Sequence, residues 1–127
     1  MFTKVAINGF GRIGRSFFRL AHERHELRIV AINDLADLEN LAYLLKHDSV
    51  YGEFNHKVEA DVKARKLIID NQRIDFIQEK DPAKLPWGKM GVDVVVESTG
   101  FFENFEGASN HLKAGAKRVV ITAPAKD

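Results

Sequence analysis

The chain has 127 residues, a formal net charge of +1, 45% hydrophobic and 29% charged residues, enough for one domain with its own core. Lys and Arg are scattered rather than clustered, and no apolar run approaches the ~20 residues that cross a bilayer, so neither nucleic acid nor a membrane is an expected partner. There is no cysteine, which excludes disulfides, thiolate metal sites and a cysteine nucleophile within these residues.

The opening residues read as a strand and not as a signal peptide, so the expected compartment is the cytoplasm. An apolar strand, Val5–Ile7, runs into Gly9-Phe10-Gly11-Arg12-Ile13-Gly14, and a helical period starts at once. In that helix Ile13, Phe17, Leu20 and Ala21 form an apolar stripe, leaving Arg12, Arg15, Arg19 and Glu23 for solvent or ligand. A second apolar strand, Ile29–Ile32, leads to Asn33 and Asp34. Leu38, Leu41, Ala42 and Leu45 form the next helical stripe, with Asp37 placed as its N-cap.

The texture changes between Val58 and Ile77. Lys66–Ile69 and Arg73–Ile77 flank Asp70-Asn71-Gln72, whose first two residues tolerate the left-handed turn conformation, so an antiparallel hairpin is expected, with a third strand near Val58–Val62. Pro82, Pro86 and Trp87 make a compact connection back to a strand at Val92–Val96. A helix with Phe101, Phe105, Ala108 and Leu112 on its apolar face and Gly115 as its stop leads to a last strand, Val119–Ile121. The four apolar runs, rich in β-branched residues, read as parallel strands buried on both faces. The fold class is α/β, a doubly wound, mostly parallel sheet with an inserted antiparallel hairpin.

Ligands of such sheets bind beyond the carboxyl ends of the strands. Those ends are Asn8-Gly9, Asn33-Asp34, Glu97-Ser98-Thr99-Gly100 and Thr122-Ala123-Pro124. The glycines Gly9, Gly11 and Gly14 sit where a strand turns into a helix close to a ligand, and the helix start favours an anion. Asp34, about twenty residues past Gly14, is placed to accept hydrogen bonds from ribose hydroxyls. The chemistry is that of a dinucleotide site. His22 and His25 read as a solvated helix end, and no metal is expected. None of His22, His25, His47, His56 and His111 has an identifiable nucleophile partner.

NGFGRIGR, AIND, HDSVYG, QEKDPAKLPWG, VVESTGFF and AGAKRVVITAPAKD, in this order and spacing, resemble the N-terminal half of phosphorylating glyceraldehyde-3-phosphate dehydrogenases. The resemblance covers essentially the whole chain. It implies a Rossmann domain at 1–127 that binds NAD, with the catalytic substrate domain absent and the fragment inactive by itself. It implies that the backbone N–H groups of Arg12 and Ile13 hold the pyrophosphate and that Asp34 holds the ribose. Ser98, Thr99 and Gly100 match the turn beneath the dinucleotide, and Phe102 an aromatic close to the adenine. Thr122 stands where the family usually has Ser, near the nicotinamide. Lys80 stands where it commonly has Arg, beside the adenine, and a lysine does not stack as a guanidinium does. His47 and Tyr51 match a loop near a subunit interface, and the full-length parent is expected to be a homotetramer. Two alternatives are a free-standing or engineered NAD-binding module and the matching domain of erythrose-4-phosphate dehydrogenase, which tends to carry Glu at the Asp34 position.

Overall fold

The computed structural model describes residues 2–48, 52–100 and 105–122. Two strands that end in continuous buried runs build its centre: β1 (Thr3–Asn8) and β2 (Leu27–Asn33) pair in parallel. Val5 and Ile7 face one side of β1, and Ala6 the other. The register shifts by one residue between Val5↔Ile29 and Ala6↔Ala31. That bulge puts Ile29 and Ile32 on the same face despite their odd spacing.

Between them runs α1 (Arg12–His22), and β2 is followed by α2 (Leu38–Lys46). In α2 the expected stripe is buried at Leu38, Leu41, Ala42 and Leu45, and the Asp37 carboxylate accepts the Asn40 N–H at 3.0 Å as its cap. In α1 the buried residues are Gly14, Phe18 and Ala21, while Ile13 and Leu20 are 55% and 73% exposed. Of the expected stripe, Ala21 is buried and Phe17 packs on the core half-buried, while Ile13 and Leu20 turn outward, because the helix must put Gly14 against the end of β1. Arg19 is not left to solvent either. Its guanidinium donates to Leu45 O and Gly52 O and lies over the Phe54 ring, closing the end of α2.

After a short ribbon, β3 (His47–Asp48) with β4 (Gly52–Glu53), comes the inserted meander. It comprises β5 (Val58–Asp61), β6 (Lys66–Ile69) and β7 (Gln72–Ile77), with β6 antiparallel to both neighbours. Asp70 and Asn71, at φ 48° and 73°, form the two-residue turn. Gln72 belongs to the strand. The Lys66 ammonium pairs with Asp75 across the hairpin, and β7 joins β2 in parallel, so the insertion extends the main sheet.

A 3-10 turn at Pro82–Lys84 and the short α3 (Trp87–Met90) lead to β8 (Val94–Glu97), then α4 (Phe105–Lys113) and β9 (Arg118–Ile121). The sheet order is β5-β6-β7-β2-β1-β8-β9. The chain thus steps to one side of β1 and later to the other, which opens a crevice at the carboxyl end of β1. One core lies under α1 and α2, around Phe10, Phe18, Leu45, Ile74 and Phe76. A smaller one lies on the opposite face around Leu85, Trp87, Val92 and Val95. The strand β9 is the exception to two-sided burial: it is an edge strand with Val120 51% exposed. On α4 it is Ala108 and His111 that are buried, with Leu112 44% exposed.

Candidate cofactor-binding site

The turn from β1 into α1 is built by three glycines with three different tasks. Gly9 has φ +95°, and a Cβ there would lie 2.7 Å from the Thr99 backbone nitrogen. At Gly14 a Cβ would lie 2.2 Å from the Gly9 carbonyl oxygen, so the start of α1 presses against the strand end. Gly11 is the N-cap residue, and a Cβ there would meet nothing within 4 Å. It borders open space. Among the described residues no side chain caps α1, and its first turn holds no acidic residue. The first N–H groups of α1 and its dipole therefore face outward, ready for an anion.

Asp34 stands beside this turn. Its Oδ2 accepts the Phe10 N–H at 2.7 Å and its Oδ1 the Ala36 N–H at 2.8 Å. Each oxygen keeps a lone pair for a further donor. The two backbone bonds fix the carboxylate at the mouth of a cavity of about 550 Å³. That cavity is lined by Asn8, Gly9, Gly11, Asn33, Asp34, Leu35, Glu79, Lys80, Pro82, Ser98 and Thr99.

Behind the cavity a buried polar chain ties the strand ends together. The Asn33 amide donates to Asn8 Oδ1 at 2.7 Å and to Glu79 O at 2.9 Å, and its Oδ1 accepts the Glu79 N–H at 2.8 Å. Asn8 Nδ2 donates to Glu97 Oε1 at 2.7 Å, and His111 Nε2–H donates to the same oxygen at 2.7 Å. Glu97 Oε2 accepts the Thr99 N–H at 3.0 Å and the Thr99 hydroxyl at 2.6 Å. The Trp87 indole N–H, which can only donate, reaches His111 Nδ1 at 3.0 Å and fixes the ring with its proton on Nε2. Burial pushes the Glu97 pKa up, but the hydrogen bonds from His111, Thr99 and Asn8 outweigh it and hold the group below its usual 4.5.

A family described as glyceraldehyde 3-phosphate dehydrogenase, NAD binding domain, matches residues 3–105 of this chain. The chain belongs to that family. NAD is accordingly the cofactor of this domain. Glyceraldehyde-3-phosphate dehydrogenase of Shimwellia blattae is 54% identical over 127 residues, which are 100% of this chain and 38% of that protein. Glyceraldehyde-3-phosphate dehydrogenase 1 of Bacillus subtilis is 51% identical over 127 residues, 100% of this chain and 37% of its own length. The Thermotoga maritima protein of the same name is 55% identical over 126 residues, 98% and 37%. The chain thus spans less than two fifths of the relatives it matches.

The residues of the domain fit a dinucleotide. An uncapped helix start suits the pyrophosphate, the open side of Gly11 admits it, and a fixed carboxylate with free lone pairs suits the ribose diol. Of the expected site residues, Gly9, Gly11, Asn33, Asp34, Lys80, Ser98 and Thr99 line one cavity. Gly14 works from behind it. Arg12 and Ile13 are exposed in the first turn of α1, and Gly100, at φ +82°, follows Thr99. Asn33 lines the cavity with a side chain whose hydrogen-bonding groups are already engaged by Asn8 and Glu79, so it positions its neighbours. Thr122 is outside the lining, its hydroxyl donating to Glu97 O at 3.2 Å. Phe102 lies outside the described residues. Sequence reasoning missed Leu35, Glu79 and Pro82 in the lining, and the Trp87–His111–Glu97 chain. The signal for the latter was a carboxylate directly ending an apolar strand and a histidine three residues from Ala108 on the inner face of α4.

Proposed function

We propose that this domain holds NAD for a phosphorylating glyceraldehyde-3-phosphate dehydrogenase, with the cofactor lying across the carboxyl ends of β1, β2 and β8. The observation that carries the reading is the pairing of an uncapped α1 start with the Asp34 carboxylate on one cavity. In this reading the first-turn N–H groups of Arg12, Ile13 and Gly14 hold the pyrophosphate, and Gly11 leaves them bare. Asp34 holds the ribose hydroxyls of the adenosine half. Lys80 contributes positive charge to the adenine side, and Ser98, Thr99 and Gly100 form the floor. Bound NAD supplies the oxidant that takes up the hydride equivalent lost by the aldehyde.

The 127 residues contain no cysteine, so they supply no thiolate to capture an aldehyde. Residues 1–127 serve as a single cofactor domain, and the substrate domain of the whole enzyme supplies the nucleophile and the phosphate sites. The whole enzyme is a cytoplasmic homotetramer in this reading. Support for the assembly comes from the exposed apolar side chains Leu20 and Tyr43, and no helix among the described residues is long and apolar enough to cross a membrane.

The test is an assay of the purified chain with NAD, glyceraldehyde 3-phosphate and phosphate, following NADH absorbance. The reading expects NAD binding without turnover, and turnover once a separately produced C-terminal portion is added. Turnover by the 127 residues alone contradicts the division of labour.

A further inference from the structure

Three side chains from three separate segments converge on the side of the fold held by the inserted hairpin. His22 ends α1, His56 lies between β4 and β5, and Asp70 opens the β6–β7 turn. His56 Nδ1 stands 2.5 Å and His22 Nε2 3.9 Å from Asp70 Oδ2, and one ligand atom from each of the three lies within 4.8 Å of the others. A tetrahedral zinc ion with bonds of about 2.0–2.2 Å needs its ligand atoms roughly 3.4 Å apart. The present spacings bracket that value, so shifts of about an ångström create the cage. None of the three lines the cofactor cavity.

The surroundings are those that metal-binding histidines and carboxylates use. Glu23 Oε1 accepts from His56 Nε2 at 2.5 Å, which leaves Nδ1 to face Asp70 and the space between the rings. A carboxylate on the far nitrogen orients a ligating imidazole and raises its basicity. Asp70 Oδ1 accepts the Lys57 N–H at 2.8 Å, leaving Oδ2 as the inward atom. Lys46 Nζ holds the His56 carbonyl at 2.9 Å, and the His22 ring stacks on Phe18. Both rings are largely shielded, with side chains 14% and 22% exposed.

We propose that His22 Nε2, His56 Nδ1 and Asp70 Oδ2 bind one divalent zinc-class ion, with water as the fourth ligand. Two imidazoles and one carboxylate suit Zn²⁺ and disfavour Mg²⁺ and Ca²⁺, which take oxygen ligands. Burial and the neighbouring His56 hold the His22 pKa below 6.5, so its lone pair is available at neutral pH. For His56, burial lowers the pKa, but the hydrogen bonds to Glu23 and Asp70 outweigh it and raise it above 6.5. Binding displaces any proton on His56 Nδ1 to solvent, while the Nε2 proton stays on the ring, donated to Glu23. The ion ties the end of α1 to the hairpin turn, a structural task apart from the cofactor.

The experiment is calorimetric titration of the purified protein with ZnCl₂ at pH 7.5, with Co²⁺ as a spectroscopic probe. One ion per chain is expected, with tetrahedral-type visible bands from Co²⁺ that Zn²⁺ abolishes. His22→Gln and His56→Gln should remove saturable binding, and Glu23→Gln should weaken it about 10–100-fold. His25→Gln, at an exposed neighbouring histidine, should leave it unchanged. Absence of one-to-one binding overturns the proposal, as does unaltered binding in folded His22→Gln or His56→Gln. If a histidine variant fails to fold, the wild-type Co²⁺ spectrum decides: octahedral, aquo-like bands overturn the site.

Discussion

Glu97 and His111 meet at 2.7 Å with their side chains 1% and 0% exposed. The pair connects the smaller core, through Trp87, to the floor of the cofactor cavity, through Thr99. Four donors converge on the one carboxylate. Glu97→Gln turns an acceptor oxygen into an NH₂ group facing donors, leaving buried partners unpaired. It should cost about 3 kcal/mol of stability and weaken NAD binding through the loosened Thr99. Urea unfolding and an NAD titration check both effects.

The same group sets part of the acid limit. Its folded-state pKa lies below the ordinary 4.5, so the unfolded carboxyl takes up a proton first as pH falls. The stabilisation is present above 4.5 and is lost as pH drops through the folded-state value. Glu97→Gln should therefore flatten the dependence of the urea midpoint on pH below 4.5 relative to wild type. An unchanged slope contradicts the assignment.

His22 and His56 impose opposite pH dependences. His56, raised above 6.5 between Glu23 and Asp70, adds stability that is full below 6.5 and lost as pH rises through its folded-state value. His22, lowered by burial and by His56, costs stability as pH falls below 6.5, because the unfolded ring protonates first. In metal-free buffer His56→Gln should remove the alkaline-side loss and His22→Gln the acid-side loss. Denaturant midpoints across pH 5–8, a range centred on the ordinary histidine value of about 6.5, read both.

The glycines of the first turn should separate stability from binding. Gly14→Val drives a side chain into the Gly9 carbonyl, and Gly9→Val adds a clash with Thr99 to a positive φ. Both should lower stability by about 3 kcal/mol or more, Gly14→Val through overpacking and Gly9→Val through overpacking and backbone strain together. Gly9 is thus a fold determinant as well as a ligand-side residue. Thermal melts of the two variants against wild type make the comparison.

The doubly wound architecture was legible because apolar runs such as Val5–Ile7 and Ile29–Ile32 admit one reading in a helix-covered sheet. The hairpin was legible because Asp70 and Asn71 tolerate positive φ. The buried face of α1 was only partly legible: Ala21 and Phe17 face the core as expected, Ile13 and Leu20 do not. Ile13, Phe17, Leu20 and Ala21 offered a plausible stripe, but the contact of Gly14 with Gly9 decides the exact rotation, and that contact is tertiary. Asp34 could be placed from its spacing to the glycines. The convergence of His111 on Glu97, or of His56 on His22, depends on pairings between segments far apart in sequence, which no local period encodes.

Asp34 should also set cofactor choice. A 2′-phosphate brings negative charge near its carboxylate, and a unit pair at 4 Å with an effective dielectric of 20 costs ~4 kcal/mol before relaxation. Leu35 and Ala36 follow it, so no arginine directly after it offsets this charge. NAD should bind more tightly than NADP, and Asp34→Asn should narrow the gap while keeping one backbone acceptor. Competition titrations with the two cofactors measure it.

The central claim is that NAD rests on the bare start of α1 beside Gly11. Calorimetric titration of wild type and Gly11→Val with NAD, alongside their thermal melts, tests it most directly. A Cβ at Gly11 meets no protein atom within 4 Å, so the variant should stay within about 1 kcal/mol of wild type in stability while losing NAD binding. Equal NAD affinity in the two folded proteins would contradict the account.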